Sequence, residues 1–137
     1  SPFLSDVKVM RVSEMYLIKA EAQVNANDLG GAAATLKQIR DVRLGSNTAL
    51  DSYSSQTDAY DAVLKERRLE LAFEGHRYLD IKRFKDRLNT GINRDPRDCA
   101  AGGNCTMLPS DHRLTLPIPQ VELNANPTIV QNPGYGN

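Results

Sequence analysis

The chain has 137 residues, the length of one ordinary domain, and its 17 Lys and Arg residues balance 17 Asp and Glu residues. A balanced charge provides no general attraction to nucleic acid or to an anionic membrane, so nucleic acid is not expected as a partner. Trp is absent and aromatic residues make up 6% of the chain, which leaves few side chains for stacking on sugars or bases.

The start of the chain reads Ser-Pro-Phe, without an initiator Met, a signal peptide or a cysteine for lipid attachment. We therefore treat residues 1–137 as one domain that is processed or cut from a longer protein. Helical patterns cover 11–84, an aperiodic loop covers 86–113, and an extended proline-rich tail covers 114–137. No apolar run is long enough to span a bilayer.

The first two helices are predicted over 11–26 and 29–43. Strong helix formers fill the first segment, and its apolar residues lie on two sides, which predicts packing on more than one side. Asp28 is placed to cap the second helix, whose apolar residues form a single stripe. Two helices joined by a short turn predict an αα-hairpin. One side of the first helix carries Val12, Met15, Tyr16 and Ala20.

A third helix is predicted over 58–74, after a polar loop rich in Ser and Thr. Thr57 or Asp58 is the expected N-cap, and Gly75 is a natural residue just beyond the C-terminal end. Residues 76–84 then predict a short fourth helix with Tyr78, Ile81 and Phe84 on its apolar side.

The third helix places a charged residue on its apolar stripe. Arg67 falls between Leu64 and Leu71, so its guanidinium should be at least partly buried and must have a partner. Glu70 is three residues further along the same helix and within reach, and Glu14 on the first helix is the alternative partner. The same spacing of three residues predicts structural ion pairs between Glu74 and Arg77 and between Asp80 and Arg83.

A catalytic interpretation of this stretch is possible, because paired carboxylates beside Arg and His resemble a glycosidase acid and base. Interleaved arginines lower carboxyl pKa values, however, whereas a general acid requires a raised pKa. His76, directly after Gly75, is interpreted as a partner of the helix dipole. Structural ion pairs are therefore favoured over a catalytic site, and no nucleotide-binding or Ser-His-Asp motif is present.

The only two cysteines, Cys99 and Cys105, are separated by five residues that include Gly102 and Gly103. This spacing is compatible with a disulfide, which is favoured over two free thiols. A zinc site needs about four ligands, and the two histidines form no motif with the cysteines, so neither a metal nor another cofactor is expected.

The tail contains prolines that exclude a helix over most of its length, apart from one turn at 119–124. Elsewhere we expect it to run extended across the helices. The apolar residues available for docking are Leu116, Ile118, Val121, Ile129, Val130 and Tyr135.

Three blocks of sequence, in order, resemble the C-terminal part of the SusD/RagB family of outer-membrane nutrient-binding lipoproteins. The first is R-V-S-E-M-Y-L-I-K-A-E-A at 11–22. The second is E-R-R-L-E-L-A-F-E-G-H-R-Y-L-D-I-K-R at 66–83. The third is L-P-I-P-Q-V-E-L-N-A-N-P at 116–127, followed by Gln-Asn-Pro-Gly-Tyr at 131–135. Together the blocks extend over nearly the whole chain.

The resemblance implies an all-α fold with a tetratricopeptide-like helix hairpin and further helices. It also implies a non-enzymatic surface lipoprotein of Bacteroidetes-type bacteria. Such proteins bind oligosaccharides or other large nutrients and act with a SusC-like TonB-dependent outer-membrane transporter. The charged stretch would then be scaffold.

This chain departs from the family pattern in its short length and in its lack of Trp. Family glycan sites are built largely from aromatic residues N-terminal to the matched region, so we expect this region to be mainly scaffold. Tyr53, in the polar loop, is the one aromatic residue expected to be exposed and is the candidate ligand-binding residue. The alternative function is a tetratricopeptide-type protein-interaction module, although such arrays generally need about three repeats for stability.

Overall fold

The structure is a computed structural model that describes residues 10–99 and 105–136. The described residues are mostly helical, which confirms the predicted all-α class. The chain divides into two compact units, one ending at Asp80 and the other beginning at Ile81. None of the described helices has the length and hydrophobicity needed to cross a membrane. The helices are α1 Val12–Asn25, α2 Leu29–Leu44, α3 Gln56–Glu70, α4 His76–Leu88 and α5 Gln120–Ala125.

The first unit is built on the predicted hairpin of α1 and α2, against which α3 packs on both helices. Asp28 caps α2, since its Oδ1 accepts a hydrogen bond from the backbone N–H of Gly31 at 2.9 Å. The predicted stripes of α2 and α3 form much of the core. The buried apolar residues of these three helices are Leu17, Ala20, Val24, Ala32, Ala33, Leu36, Ile39, Ala59, Tyr60, Val63 and Leu64.

The packing expected on both sides of α1 is wrong for this structure. Leu17, Ala20 and Val24 face the core, whereas Val12 is 72% exposed and Ile18 is 48% exposed. Among the described residues, α1 packs mainly on α2 and α3, and part of its apolar surface stays exposed.

Ser55, rather than Thr57 or Asp58, is the N-cap of α3. Its backbone is extended, with φ −153° and ψ 164°, and its Oγ accepts a hydrogen bond from the N–H of Asp58 at 3.1 Å. The helix therefore begins at Gln56, two residues before the predicted start, because a cap must be the last extended residue.

Ser55→Ala is expected to lower the free energy of unfolding by about 1 kcal/mol, because the Asp58 N–H would lose its side-chain acceptor. Thr57→Ala is the matched control and should change stability much less, since Thr57 lies inside the first turn. Urea unfolding followed by circular dichroism measures both. Equal losses for the two variants would contradict the assignment of the cap.

The third helix ends at Glu70, four residues earlier than predicted. The chain then reverses through residues 71–75, with the N–H of Leu71 bonded to the carbonyl of Arg67 at 2.9 Å. Phe73 and Gly75 both have positive φ, 64° and 80°. Two left-handed residues so close together cannot continue a right-handed helix. The fourth helix extends beyond the predicted end, to Leu88.

The second unit includes most of the predicted loop 86–113, which contains regular structure that the sequence pattern did not reveal. Strands β1 Ile92–Asn93 and β2 Thr106–Met107 pair antiparallel, with Ile92 opposite Met107. A Cβ on Gly91 would lie 2.0 Å from the carbonyl oxygen of Met107, so a residue with a side chain at 91 would displace this pairing. Two short 3-10 turns lie at Pro96–Asp98 and His112–Leu114.

The tail folds back on itself within the second unit. The Gln131 side chain accepts a hydrogen bond from the Ile118 N–H at 2.8 Å and donates one to the Ile118 carbonyl at 3.0 Å. Tyr135 Oη donates to the carbonyl of Thr115 at 2.9 Å, and its ring contacts His112 edge-on. The predicted single turn is present as α5. Of the apolar residues named as available for docking, three remain largely exposed: Leu116, Val121 and Val130.

Candidate functional site

The charged stretch at 66–83 is centred on a buried ion pair between α3 and α4. Arg67 is 6% exposed, and its Nε lies 2.9 and 3.0 Å from the two carboxylate oxygens of Asp80, which is 3% exposed. The burial of Arg67 agrees with its predicted position on the apolar stripe. A pair this well buried holds the start of α4 against α3, because breaking it would leave a buried charge without its counter-ion.

The predicted partners of Arg67 are wrong. Glu70 and Glu14 were expected, but the turn at 71–75 folds α4 back and brings Asp80 to Arg67. Glu70 faces the hairpin instead, and Glu14 Oε1 lies 4.0 Å from His76 Nδ1. His76 opens α4 and is six residues beyond the end of α3, so it is not the dipole partner predicted for that end.

Glu70 joins the ends of three elements and is bound by two arginines; we call Glu70, Arg11 and Arg43 the Glu70 cluster. Arg11 Nη1 lies 2.8 Å from Glu70 Oε1, and Arg43 Nε lies 2.7 Å from Glu70 Oε2. The Glu70 side chain is 5% exposed. The hydrogen bonds from Arg43 and then Ser13, with the charges of both arginines, outweigh burial and lower the pKa of Glu70 to about 2.

The predicted ion pair between Glu74 and Arg77 is wrong, because Glu74 is bound from another element. Glu74 Oε1 lies 2.7 Å from Arg11, which precedes α1, instead of pairing with Arg77. Asp80 binds Arg67, and the Arg83 guanidinium lies 4.4 Å from the centre of the Phe84 ring. Side chains from neighbouring elements compete with residues of the same helix as ion-pair partners, and spacing within one helix cannot predict these contacts.

Tyr53 is half-buried, so the expectation that its ring is freely exposed is wrong. The Oη of Tyr53 donates a hydrogen bond to Asp51 Oδ2 at 3.2 Å. Arg40 also binds the Asp51 carboxylate, and the Nε of Arg40 donates to Glu66 at 2.7 Å. Burial, followed by the charge and hydrogen bond of Asp51, raises the pKa of Tyr53 to about 12. These contacts connect the polar loop to α2 and α3. Tyr53 stays a candidate ligand residue that nothing else in the site supports.

Phe73, which the sequence pattern placed inside a helix, is the most exposed aromatic residue that the structure describes. Its side chain is fully exposed and its backbone is left-handed, with φ 64°. For a bulky residue this conformation costs of order 1–3 kcal/mol, and exposure of the ring forfeits a further gain from burial. Gly75, two residues later, marks a turn in the sequence, but it predicts a helix end at residue 74 and not the earlier end at Glu70.

A cleft of about 310 Å³ lies between the end of α3 and the start of α4, and we call it the Phe73 cleft. Burial lowers the pKa of Arg77, and the nearby charge of Arg68 lowers it further, while Asp80 acts in the opposite direction. Three arginines and one aspartate line the cleft, so it is a basic site beside the exposed ring of Phe73. Its lining includes Arg67, Arg68, Phe73, Arg77, Tyr78 and Asp80.

A larger groove of about 500 Å³ follows the outer side of the hairpin. Val12 and Tyr16 of α1 and Val42 of α2 give it an apolar wall, and the arginines of the Glu70 cluster lie at its edge. The groove thus borders the part of α1 whose apolar side chains are exposed.

Cys99 and Cys105 are joined by a disulfide in the structure, with their Cα atoms 5.7 Å apart. Gly102 and Gly103, whose flexibility entered the prediction, lie outside the described residues. The bond closes a short segment between the two strands, where the N–H of Arg94 also donates to the Cys105 carbonyl at 2.9 Å.

We expect neither Cys99 nor Cys105 to be alkylated when the natively produced protein is labelled under denaturing, non-reducing conditions and mapped by peptide mass, because the two cysteines are bonded to each other. Reduction should make both alkylatable and leave the helical circular dichroism nearly unchanged, since the bond crosslinks a segment outside the helices. Alkylation of both residues before reduction would contradict the disulfide.

Comparison with known proteins identifies the source of these motifs. The sequence profile described as the SusD family matches residues 4–135. The chain belongs to the SusD family. It is 32% identical to the SusD-like protein P2 of Formosa agariphila, in an alignment that covers 92% of this chain and 25% of that protein. The chain thus spans about a quarter of the length of this curated relative.

Solved structures support the SusD-like fold. A SusD superfamily protein from Bacteroides vulgatus is 32% identical, with a TM-score of 0.65, over 94% of this chain and 28% of that one. Another, from Bacteroides thetaiotaomicron, is 32% identical with a TM-score of 0.62, over 91% of this chain and 27% of that one. In this SusD-like chain, the second family block forms the α3–α4 ion pairs, and the third holds the tail against itself.

Proposed function

We propose that this chain is the C-terminal region of a longer, non-enzymatic SusD-like protein that captures glycans or other nutrients at the cell surface. The intact protein is a lipoprotein of the outer membrane and acts with a SusC-like TonB-dependent transporter. The observation that carries this proposal is the family match over residues 4–135, which includes all three sequence blocks. Within the intact protein, this region serves mainly as scaffold.

The ion pairs of the charged stretch support a scaffold role over catalysis. Glu70 is held ionised by Arg11 and Arg43, and a carboxyl group with a pKa of about 2 cannot serve as a general acid near neutral pH. Asp80 is buried against Arg67, where a substrate would have to displace a satisfied partner. These carboxylates join helices and are poorly placed to exchange protons with a ligand.

The proposed partnership is tested by purifying the tagged intact protein from native outer membranes under mild detergent. A TonB-dependent transporter should co-purify in near-stoichiometric amount. Surface location is checked on whole cells, where an external protease should cleave the protein without lysis. Recovery of a soluble peptide partner in place of a transporter would contradict the proposal and favour a tetratricopeptide-type interaction module.

The absence of turnover is tested with the same purified protein and a panel of oligosaccharides. Binding should occur without the release of new reducing ends over many hours. The sharp control is Glu70→Gln, studied under conditions where circular dichroism shows it folded. Hydrolysis that disappears in this variant would overturn the assignment as a binding protein.

A further inference from the structure

The Phe73 cleft has the composition of a ligand site that the scaffold role does not explain. Phe73 is fully exposed on a left-handed backbone, at the tip of the five-residue turn between α3 and α4. Strained, exposed residues persist where the surrounding structure enforces them, and they concentrate at functional sites. Here the enforcement comes from the buried Arg67–Asp80 pair, which fixes the two helices on either side of the turn.

Two guanidinium groups line the same cleft, and the one carboxylate beside them, Asp80, is already paired with Arg67. Arg68 is exposed near the end of α3, and Arg77 is half-buried near the start of α4. In the part of the chain that the structure describes, no salt bridge joins either one to a carboxylate. Asp80, the acidic residue of the lining, has both oxygens bound to Arg67. Two cations near each other, one of them partly desolvated, favour the binding of an anion between them.

The size of the cleft and the nature of its walls restrict the ligand. A cleft of about 310 Å³ is at the lower end of the range for small-molecule sites and holds a single ring more readily than an extended chain. Guanidinium groups recognise planar carboxylates through paired hydrogen bonds. An aromatic face such as that of Phe73 packs against the apolar C–H face of a pyranose ring.

We propose that the Phe73 cleft binds a carboxylate-bearing sugar unit, with Arg68 and Arg77 holding the carboxylate and Phe73 packing against the ring. The choice of a sugar rests on the proposed function, whereas the requirement for an anionic group rests on the two arginines. The site is separate from the Glu70 cluster, whose arginines are already bound to carboxylates of this chain.

Calorimetric titration of the intact protein with tri-galacturonic acid tests the proposal, and the methyl ester of the same trisaccharide serves as the uncharged control. The acid should bind at least tenfold more tightly than the ester, and its affinity should fall as salt is added. Equal affinity for the acid and the ester, or no measurable binding of the acid, would overturn the proposal.

Variants locate the binding. Arg68→Gln with Arg77→Gln should weaken binding of the acid at least tenfold, and Phe73→Ala should weaken it severalfold. Because Arg68 is exposed, Arg68→Gln alone keeps the test valid if the double variant does not fold. Lys19→Gln and Leu44→Ala are the matched controls. They remove an exposed charge and an exposed apolar side chain from the α1–α2 hairpin, which does not line the cleft. Losses equal to those of the controls would overturn the proposal.

The outcomes separate this proposal from the proposed function. Transporter association together with binding of neutral glycans, but no preference for the acid, would refute the cleft assignment and leave the proposed function intact. Arginine-dependent binding of tri-galacturonic acid by a protein that associates with no transporter would refute the proposed function and leave the cleft assignment intact.

Discussion

Asp80→Asn is expected to lower the free energy of unfolding by about 3–5 kcal/mol, the largest effect that we expect of a single substitution in this chain. Asp80 is 3% exposed, and its two carboxylate oxygens share the single N–H of the Nε of Arg67, itself 6% exposed. The amide would leave the Arg67 charge buried without a counter-ion. Thermal and urea unfolding, followed by circular dichroism, measure the loss in the intact protein.

Two further variants give this prediction its control and its test. Asp61→Asn removes an exposed carboxylate from α3 and should change stability by less than about 0.5 kcal/mol. Replacing the pair together, as Arg67→Met with Asp80→Leu, should recover much of the loss, because apolar residues need no partner. A melting temperature unchanged by Asp80→Asn would show that the pair contributes nothing to the fold.

Glu70→Gln is expected to cost about 2–4 kcal/mol near neutral pH, because it removes the charge that joins two arginines from different parts of the hairpin. Arg11 and Arg43 both contact the Glu70 carboxylate, whose side chain is 5% exposed. Without that charge, the two guanidinium groups would repel each other beside a neutral amide. Urea unfolding at pH 7 measures the loss.

The lowered pKa of Glu70 also predicts how the free energy of unfolding depends on pH. This pKa is about 2 in the folded protein, against an ordinary value of 4.5, so the unfolded chain binds the proton more readily. The stabilisation by Glu70 is therefore complete above about pH 5 and is lost as the pH falls towards 2, in total about 2–4 kcal/mol. Unfolding measured from pH 7 to pH 2 should show this decline.

The Glu70→Gln variant should lose this part of the acid dependence, since it has no carboxyl group to protonate at position 70. Glu122→Gln, which changes an exposed carboxylate of α5, should keep the decline of the unmodified protein. A Glu70→Gln variant that follows the same pH profile as the unmodified protein would contradict the assignment of the decline to Glu70.

Local rules predicted the hairpin well. The cap at Asp28 and the apolar stripe of α2 are properties of residues a few positions apart, so a sequence pattern contains them. The predicted end of α3 is too late because Gly75 is a natural residue just beyond a helix and Leu71 extends the apolar stripe, whereas the helix ends at Glu70. Leu71 is indeed buried, at 3% exposure, although it lies in the turn. Leu71 is thus a core residue that is not part of a helix.

The candidate site was only partly predictable. Position on the helix was enough to indicate that Arg67 is buried and paired. The identity of its partner depended on the reversal of the chain, which brings Asp80 to it across a turn. Tyr53 was selected because its loop is polar, but Asp51 draws its hydroxyl into a network with Arg40. Phe73, the most exposed ring among the described residues, lies inside the predicted third helix, and the sequence pattern does not single it out.

The sequence alone determined the helical class, the hairpin, the family resemblance and the need for buried charges to be paired, because these follow from composition, short-range spacing and motif order. Only the tertiary structure decided which acid meets which arginine and which aromatic ring reaches solvent. The physical reason is that ion pairs and burial depend on distances between segments far apart in the chain. A single left-handed turn at Phe73 is enough to redirect those segments.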